Sequence, residues 1–150
     1  MRPPSTALLD TSIWIPYLRW GHFADVVDPL VAAGRVYVTS VVLLELYAGA
    51  GSRDDKRAID EIASAAHRLD RFSHPSEADF ALAGQIMSSY AERHGAVRAR
   101  DHSHDLLIAI AAGRTSSELI SENGRDMKRW ADALAKRSRL RVKLREVAAP

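Results

Sequence analysis

Three carboxylates stand where a freely solvated acid has no reason to be. Asp10 directly follows the apolar run Ala7-Leu8-Leu9, Glu45 interrupts Val41-Val42-Leu43-Leu44 ahead of Leu46-Tyr47, and Asp105 abuts Leu106-Leu107-Ile108-Ala109-Ile110. An ionised carboxylate left unpaired in such surroundings loses solvation or takes up a proton, so a basic partner, hydrogen bonds or a metal ion must compensate. Each acid alone has an ordinary use. Asp10 can cap a following helix, Glu45 can point outward from an amphipathic helix, and Asp105 can occupy a favourable first turn. Together with Asn123 and Asp126, which follow a later apolar segment, they acquire a second meaning through the elements that carry them.

Those elements alternate. Ala7–Leu9 reads as a buried strand, followed by a helix through Ile13–Leu18 capped by Thr11 or Ser12. Asp28-Pro29 opens a short helix that Gly34 closes, and Val36–Val38 is a second strand. Ser40 then caps a helix through Val41–Ala48, and a polar helix runs over Asp55–Leu69. Arg71–His74 makes a short third strand. Ser76 and Asp79 form a capping box for a helix ending at His94-Gly95, with Phe80, Ala83, Met87 and Tyr90 as its core-facing stripe. A helix over Asp105–Ala112, a strand at Glu118–Ser121, a helix over Asp126–Lys136 and an alternating strand around Leu140, Val142 and Leu144 complete the chain.

Strands separated by helices argue an α/β domain with a mostly parallel sheet, and the absence of repeats and linkers argues one domain over residues 1–150. In open sheets of this kind ligands bind beyond the carboxyl ends of the strands. Asp10 ends the first strand, Glu45 lies about five residues into the helix after the second, and Asn123 and Asp126 follow the fourth. The expectation is that these side chains converge on one edge of the sheet.

Composition narrows the chemistry. The chain has 150 residues with 47% hydrophobic and 27% charged, which excludes wholesale disorder. It has no cysteine, which excludes disulfides and thiolate metal sites and permits a cytoplasmic location. A carboxylate set without thiolates suits hard cations such as Mg²⁺ or Mn²⁺ held with several waters, with Thr11, Ser12 and Asn123 to orient ligands or water. No Ser–His–Asp arrangement and no Gly-x-x-x-x-Gly-Lys phosphate loop is present. No apolar run approaches a membrane span; Leu106–Ala112 is seven residues long. Met1–Leu9 lacks the apolar stretch of a signal peptide.

The net charge of +2 hides an asymmetry: residues 1–127 carry 13 basic and 17 acidic side chains, and residues 128–150 carry 8 and 2. Lys128, Arg129, Lys136, Arg137, Arg139, Arg141, Lys143 and Arg145 can contact a polyanion or form a solvated edge that discourages strand pairing. Of the tryptophans, Trp14 reads as packed and Trp20 as exposed.

Four blocks in this order resemble the acidic motifs of PIN domains: Leu8-Leu9-Asp10-Thr11-Ser12, Ser40 to Gly49 around Glu45, Asp105-Leu106-Leu107-Ile108-Ala109, and Ser121-Glu122-Asn123-Gly124-Arg125-Asp126. The resemblance covers roughly Ala7 to Trp130 and is nearest to the VapC-type ribonuclease toxins of bacterial toxin–antitoxin pairs. It implies a three-layer α/β/α fold around a sheet of four to five strands. It also implies a site of Asp10, Glu45, Asp105 and Asp126 that holds Mg²⁺ or Mn²⁺ and hydrolyses RNA by activated water. An antitoxin protein and a homodimer are the implied partners, with Ile13–Leu18 as an apolar anchor and a partner's arginine entering a cluster whose motif blocks contain no Lys or Arg apart from Arg125. Glu122 competes with Asp126 for the fourth acidic position, and His102 and His104 read as solvated residues at a helix start rather than metal ligands. Two other classes are a non-hydrolytic RNA-binding module of the same fold and a small-molecule phosphohydrolase. The second would need Asp-x-Asp after the first strand, where this chain has Ser12.

Overall fold

A computed structural model describes residues 5–150; the first four positions of the Met1–Leu9 segment lie outside the described residues. The elements are β1 (Ala7–Leu9), α1 (Thr11–Trp20), α2 (Ala24–Ala32), β2 (Val36–Thr39), α3 (Ser40–Gly49), α4 (Arg53–Arg68), β3 (Phe72–Ser73), α5 (Glu77–His94), α6 (Ala99–Arg114), β4 (Glu118–Ser121), α7 (Gly124–Arg137) and β5 (Lys143–Glu146). They build a five-stranded sheet in the order β3-β2-β1-β4-β5. Every neighbouring pair is parallel, with Leu8 opposite Tyr37 on one side and Leu119 on the other.

The strand order places the site. The chain winds outward from β1 to β2 to β3, then crosses back to lay β4 and β5 on the other flank of β1. Right-handed crossovers in opposite directions put α1–α4 on one face and α5–α7 on the other. In the packing, α3 contacts α1 and α4, α5, α6 and α7 pack on one another, and α3 meets α6 where His104 approaches Glu45. Helices on both faces are what a parallel sheet needs, and they give the three-layer α/β/α architecture. The reversal of direction falls between β1 and β4, so a crevice opens at their carboxyl ends. Asp10 follows the last residue of β1, and Ser121 is the last of β4.

The central strands are covered on both faces, and Ala7, Leu8, Leu9, Leu119 and Ile120 are all buried. Leu106–Ala112 of α6 is buried on every side, which accounts for its uninterrupted apolar run.

Several expected boundaries move. Asp10, not Thr11 or Ser12, is the N-cap of α1, which starts two residues before Ile13 and leaves Pro16 in its second turn. Helix α2 begins at Ala24, ahead of Asp28-Pro29, after Phe23 in a left-handed conformation at φ 62°. Thr39 caps α3 in place of Ser40, and Ser52 caps α4. Trp20 closes α1 instead of sitting in a loop, and it is exposed as expected. The capping box of Ser76 and Asp79 is present in full. The stripe of α5 differs in one member: Phe80 is 57% exposed, and Ile86 joins Ala83 in the core. Helix α6 starts at Ala99, six residues before Asp105, with no side-chain cap. Strand β5 is confined to Lys143–Glu146, so Leu140 and Val142 pack as irregular chain.

Candidate active site

Asp10 is the most constrained acid of the set. It is 5% exposed, and three donors hold its carboxylate. Thr11 N–H donates to Oδ1 at 2.7 Å, while the hydroxyls of Ser12 and Ser121 donate to Oδ2 at 2.9 and 2.8 Å. Asp10 therefore caps α1 and also belongs to a network that ties β1 to β4. The same two hydroxyls accept N–H bonds from the next loop, Glu122 to Ser12 Oγ at 3.0 Å and Asn123 to Ser121 Oγ at 2.9 Å. The network sets the direction in which α7 leaves β4.

Glu45 comes to this edge from α3. Thr11 Oγ1 donates to Glu45 Oε1 at 3.0 Å, and His104 Nδ1 stands 4.0 Å from Oε2. Burial raises its pKa, the Thr11 hydrogen bond and His104 oppose the rise, and repulsion from Asp10 adds to it. Asp105 enters from α6. Its pKa is raised from 3.8 to about 6, first by burial and then by the negative charges of Asp10, Glu45 and Asp126, with Arg129 acting the other way. The four acids named from the sequence thus share one electrostatic neighbourhood at the crevice. Asp126 projects from the first turn of α7, where Asn123 Nδ2 donates to it at 3.1 Å and Arg129 pairs with it. Glu122 contributes its backbone N–H, which donates to Ser12 Oγ.

Two corrections follow. The cation beside the cluster is Arg129, one helical turn after Asp126, and not Arg125. His102 is half-buried in α6 rather than solvated, packing at 5.4 Å from the Trp130 ring, whereas the His104 side chain keeps 45% exposure while facing Glu45. Sequence reasoning also passed over Ser121 as a ligand of Asp10. The signal was a hydroxyl on the last residue of the neighbouring strand.

Among the described residues, no three of His, Cys, Asp and Glu are drawn together tightly enough to enclose a metal directly. That spacing is compatible with a cation that keeps part of its water shell and takes one or two carboxylates directly, as Mg²⁺ does. The donor chemistry also fits. All four groups are hard oxygen donors, and two have pKa values raised by burial and mutual repulsion, a penalty that a bound cation would relieve.

The sequence profile of the PIN domain matches residues 7–133. The chain belongs to the PIN domain family. Among solved structures, this PIN domain superposes on VapBC2 from Rickettsia felis, bound to a DNA fragment from their promoter. The TM-score is 0.63 at 20% identity, covering 95% of this chain and 98% of that one. It also superposes on DNA-bound VapBC from Salmonella typhimurium, with a TM-score of 0.65 at 19% identity over 95% and 98% of the two chains. FitAcB from Neisseria gonorrhoeae gives 0.62 at 22% identity over 93% and 96%. These likenesses establish the fold. No curated protein matches the sequence significantly.

Proposed function

We propose that this PIN domain is a divalent-metal-dependent endoribonuclease and the toxin of a toxin–antitoxin pair, of the VapC type. The observation that carries the nuclease assignment is the convergence of Asp10, Glu45, Asp105 and Asp126 on the crevice between β1 and β4, with Asp105 charge-stressed by the other three. Asp10, Glu45, Asp105 and Asp126 would hold Mg²⁺ or Mn²⁺. When bound, the cation supplies acidification of a water and stabilisation of negative charge on the phosphate.

The chain's own residues do the rest. Ser12 and Ser121 fix the Asp10 carboxylate so that its geometry does not collapse when the charge beside it changes. Thr11 orients Glu45, and Asn123 with Arg129 orients Asp126. The raised pKa of Asp105 lets its carboxyl hold or release a proton near neutral pH.

The partner assignment rests on the VapC-type resemblance, the VapBC structural likeness and one surface. A groove of about 300 Å³ between α1, the end of α2 and α4 is lined by Trp14, Tyr17, Leu18, Val31, Ile62 and Leu69. It is the apolar anchor for an antitoxin segment. Within Ile13–Leu18, Ile13 is a core residue, while half-buried Tyr17 and Leu18 face this groove beside the edge of buried Trp14. An antitoxin arginine reaching the carboxylates would relieve the same repulsion that a metal relieves. Pairing of two copies belongs to the same proposal, with exposed Leu44 and Tyr47 of α3 as apolar contacts. Among the described residues no helix is long and apolar enough to cross a membrane; a cytoplasmic location is part of the proposal.

The test is incubation of the purified protein with total RNA in Mg²⁺, Mn²⁺ or chelator, followed by co-expression with any small open reading frame found beside its gene. Discrete cleavage in metal alone, suppressed by a co-purifying partner, is the expected outcome. Binding to RNA without cleavage in either metal would point instead to the non-hydrolytic module.

A further inference from the structure

A second cleft lies beside the carboxylates, between α5 and α7. It is a cavity of about 260 Å³, lined by Tyr90, Arg93, His94, Arg129, Lys136 and Arg137 around an apolar floor that includes Ile86 and Ala133. The volume is below the roughly 300–1,000 Å³ of whole small-molecule sites and suits one nucleotide unit of a longer strand. Its charge is one-sided. Asp132 is the single carboxylate in the lining, and it pairs with Lys128 at 2.9 Å. Arg93, Lys136 and Arg137 have no carboxylate within 4.0 Å among the described residues. One wall is aromatic: the Tyr90 and His94 rings lie 4.4 Å apart, centroid to centroid, with Tyr90 backed by buried Trp130 at 5.1 Å.

Arg129 connects this cleft to the acidic site. Its guanidinium pairs with Asp126 and also lies 6.0 Å from the Tyr90 ring centroid and 5.7 Å from that of Trp130. The cleft and the carboxylates are therefore one side chain apart. Cations that track a backbone, next to aromatic faces on which a base can stack, are what single-stranded RNA requires of a protein surface.

We propose that the α5–α7 cleft holds the substrate RNA strand next to the cleaved bond, with an unpaired base against Tyr90 and His94 and the flanking phosphates on Arg93, Lys136 and Arg137. This deepens the nuclease assignment and rests on it.

Fluorescence anisotropy with a labelled single-stranded oligoribonucleotide tests binding without cleavage, in chelator and across a salt series. For the Lys136→Ala/Arg137→Ala double variant, the slope of log K against log salt becomes shallower by about 1.4, since each phosphate contact on a single strand contributes about 0.7. Tyr90→Leu, which keeps an apolar side chain on Trp130, weakens binding by about 5- to 150-fold, the range for loss of one stacked base. In cleavage assays both variants raise KM and leave kcat within about twofold. Arg53→Ala/Arg57→Ala on α4, equal in charge lost, binds RNA like the parent. Unchanged affinity and salt slope in the cleft variants overturn the proposal, as does weakened binding of a protein partner with RNA affinity untouched. A wild-type protein that binds through this cleft yet cleaves nothing in metal defeats the nuclease assignment and leaves the cleft standing.

Discussion

Asp105→Asn is expected to stabilise the metal-free protein at pH 8 and destroy its activity. The native pKa of about 6 lies above the ordinary 3.8. Between those values the folded chain binds more protons than the unfolded one, so stability falls as pH rises through that window. Above about pH 7 the group is ionised in both states, and the native state carries the whole penalty. At ~1.36 kcal/mol per pH unit that penalty is about 3 kcal/mol before screening. Asp105 is only partly buried, which lowers the expected figure to about 1–2 kcal/mol. Asparagine keeps the shape and removes the charge. In chelator, urea unfolding at pH 8 is expected to show the variant more stable by about 1–2 kcal/mol, or about 2–8 °C in Tm for a chain of this size. Near pH 4 the difference shrinks towards zero, because the wild-type carboxyl is then neutral. Saturating Mg²⁺ or Mn²⁺ stabilises the wild type more than the variant and narrows or reverses the order at pH 8. A variant less stable than wild type at pH 8 in chelator, or a difference independent of pH, would refute the account of a self-repelling cluster.

Ser121→Ala deletes a buried donor to the Asp10 carboxylate and the acceptor of the Asn123 N–H; a loss of about 1–3 kcal/mol in urea unfolding is expected, together with weaker metal-dependent cleavage. Asp126→Asn is expected to lower kcat sharply and Glu122→Gln to leave it near wild type, because the Asp126 carboxylate is held in place by Asn123 and Arg129 while Glu122 joins the network through its backbone N–H; the reverse ranking in a cleavage assay would exchange their roles. Arg114→Ala strands the buried Asp79 carboxylate that its guanidinium holds at 2.9 Å. The expected cost is about 1–2 kcal/mol, reduced by the exposure of Arg114, with kcat unchanged because the pair lies outside the acidic cluster.

The sheet and the acids could be read from the chain for a common reason. Ala7–Leu9 is a fully buried strand, Val36–Thr39 and Glu118–Ser121 are buried in their later residues, and an acid after an apolar run is conspicuous because burial penalises charge. The parts that escaped depend on contacts between distant elements. Helix α6 begins in the polar stretch Ala99–His104 without a cap, so local chemistry could not mark its start. Phe80 fits the helical period but sits in the first turn of α5, beyond the reach of the core. Arg129 looked like one more member of a basic terminal run. Its pairing with Asp126 needed only a spacing of three on a helix, but its place between the carboxylates and the Tyr90 cleft needed α5 and α7 in contact.

The central claim is that these carboxylates act through a divalent cation on RNA. Single-turnover cleavage of one defined RNA, followed as Mn²⁺ is titrated into wild type and Asp10→Asn, tests it most directly. The account predicts a wild-type rate that is zero in chelator and saturates with Mn²⁺, and an Asp10→Asn protein that remains folded but cleaves at least about a hundredfold more slowly at every concentration, a loss of about 2.7 kcal/mol in transition-state stabilisation. Equal rates for the two proteins, or wild-type cleavage that persists in chelator, would contradict it.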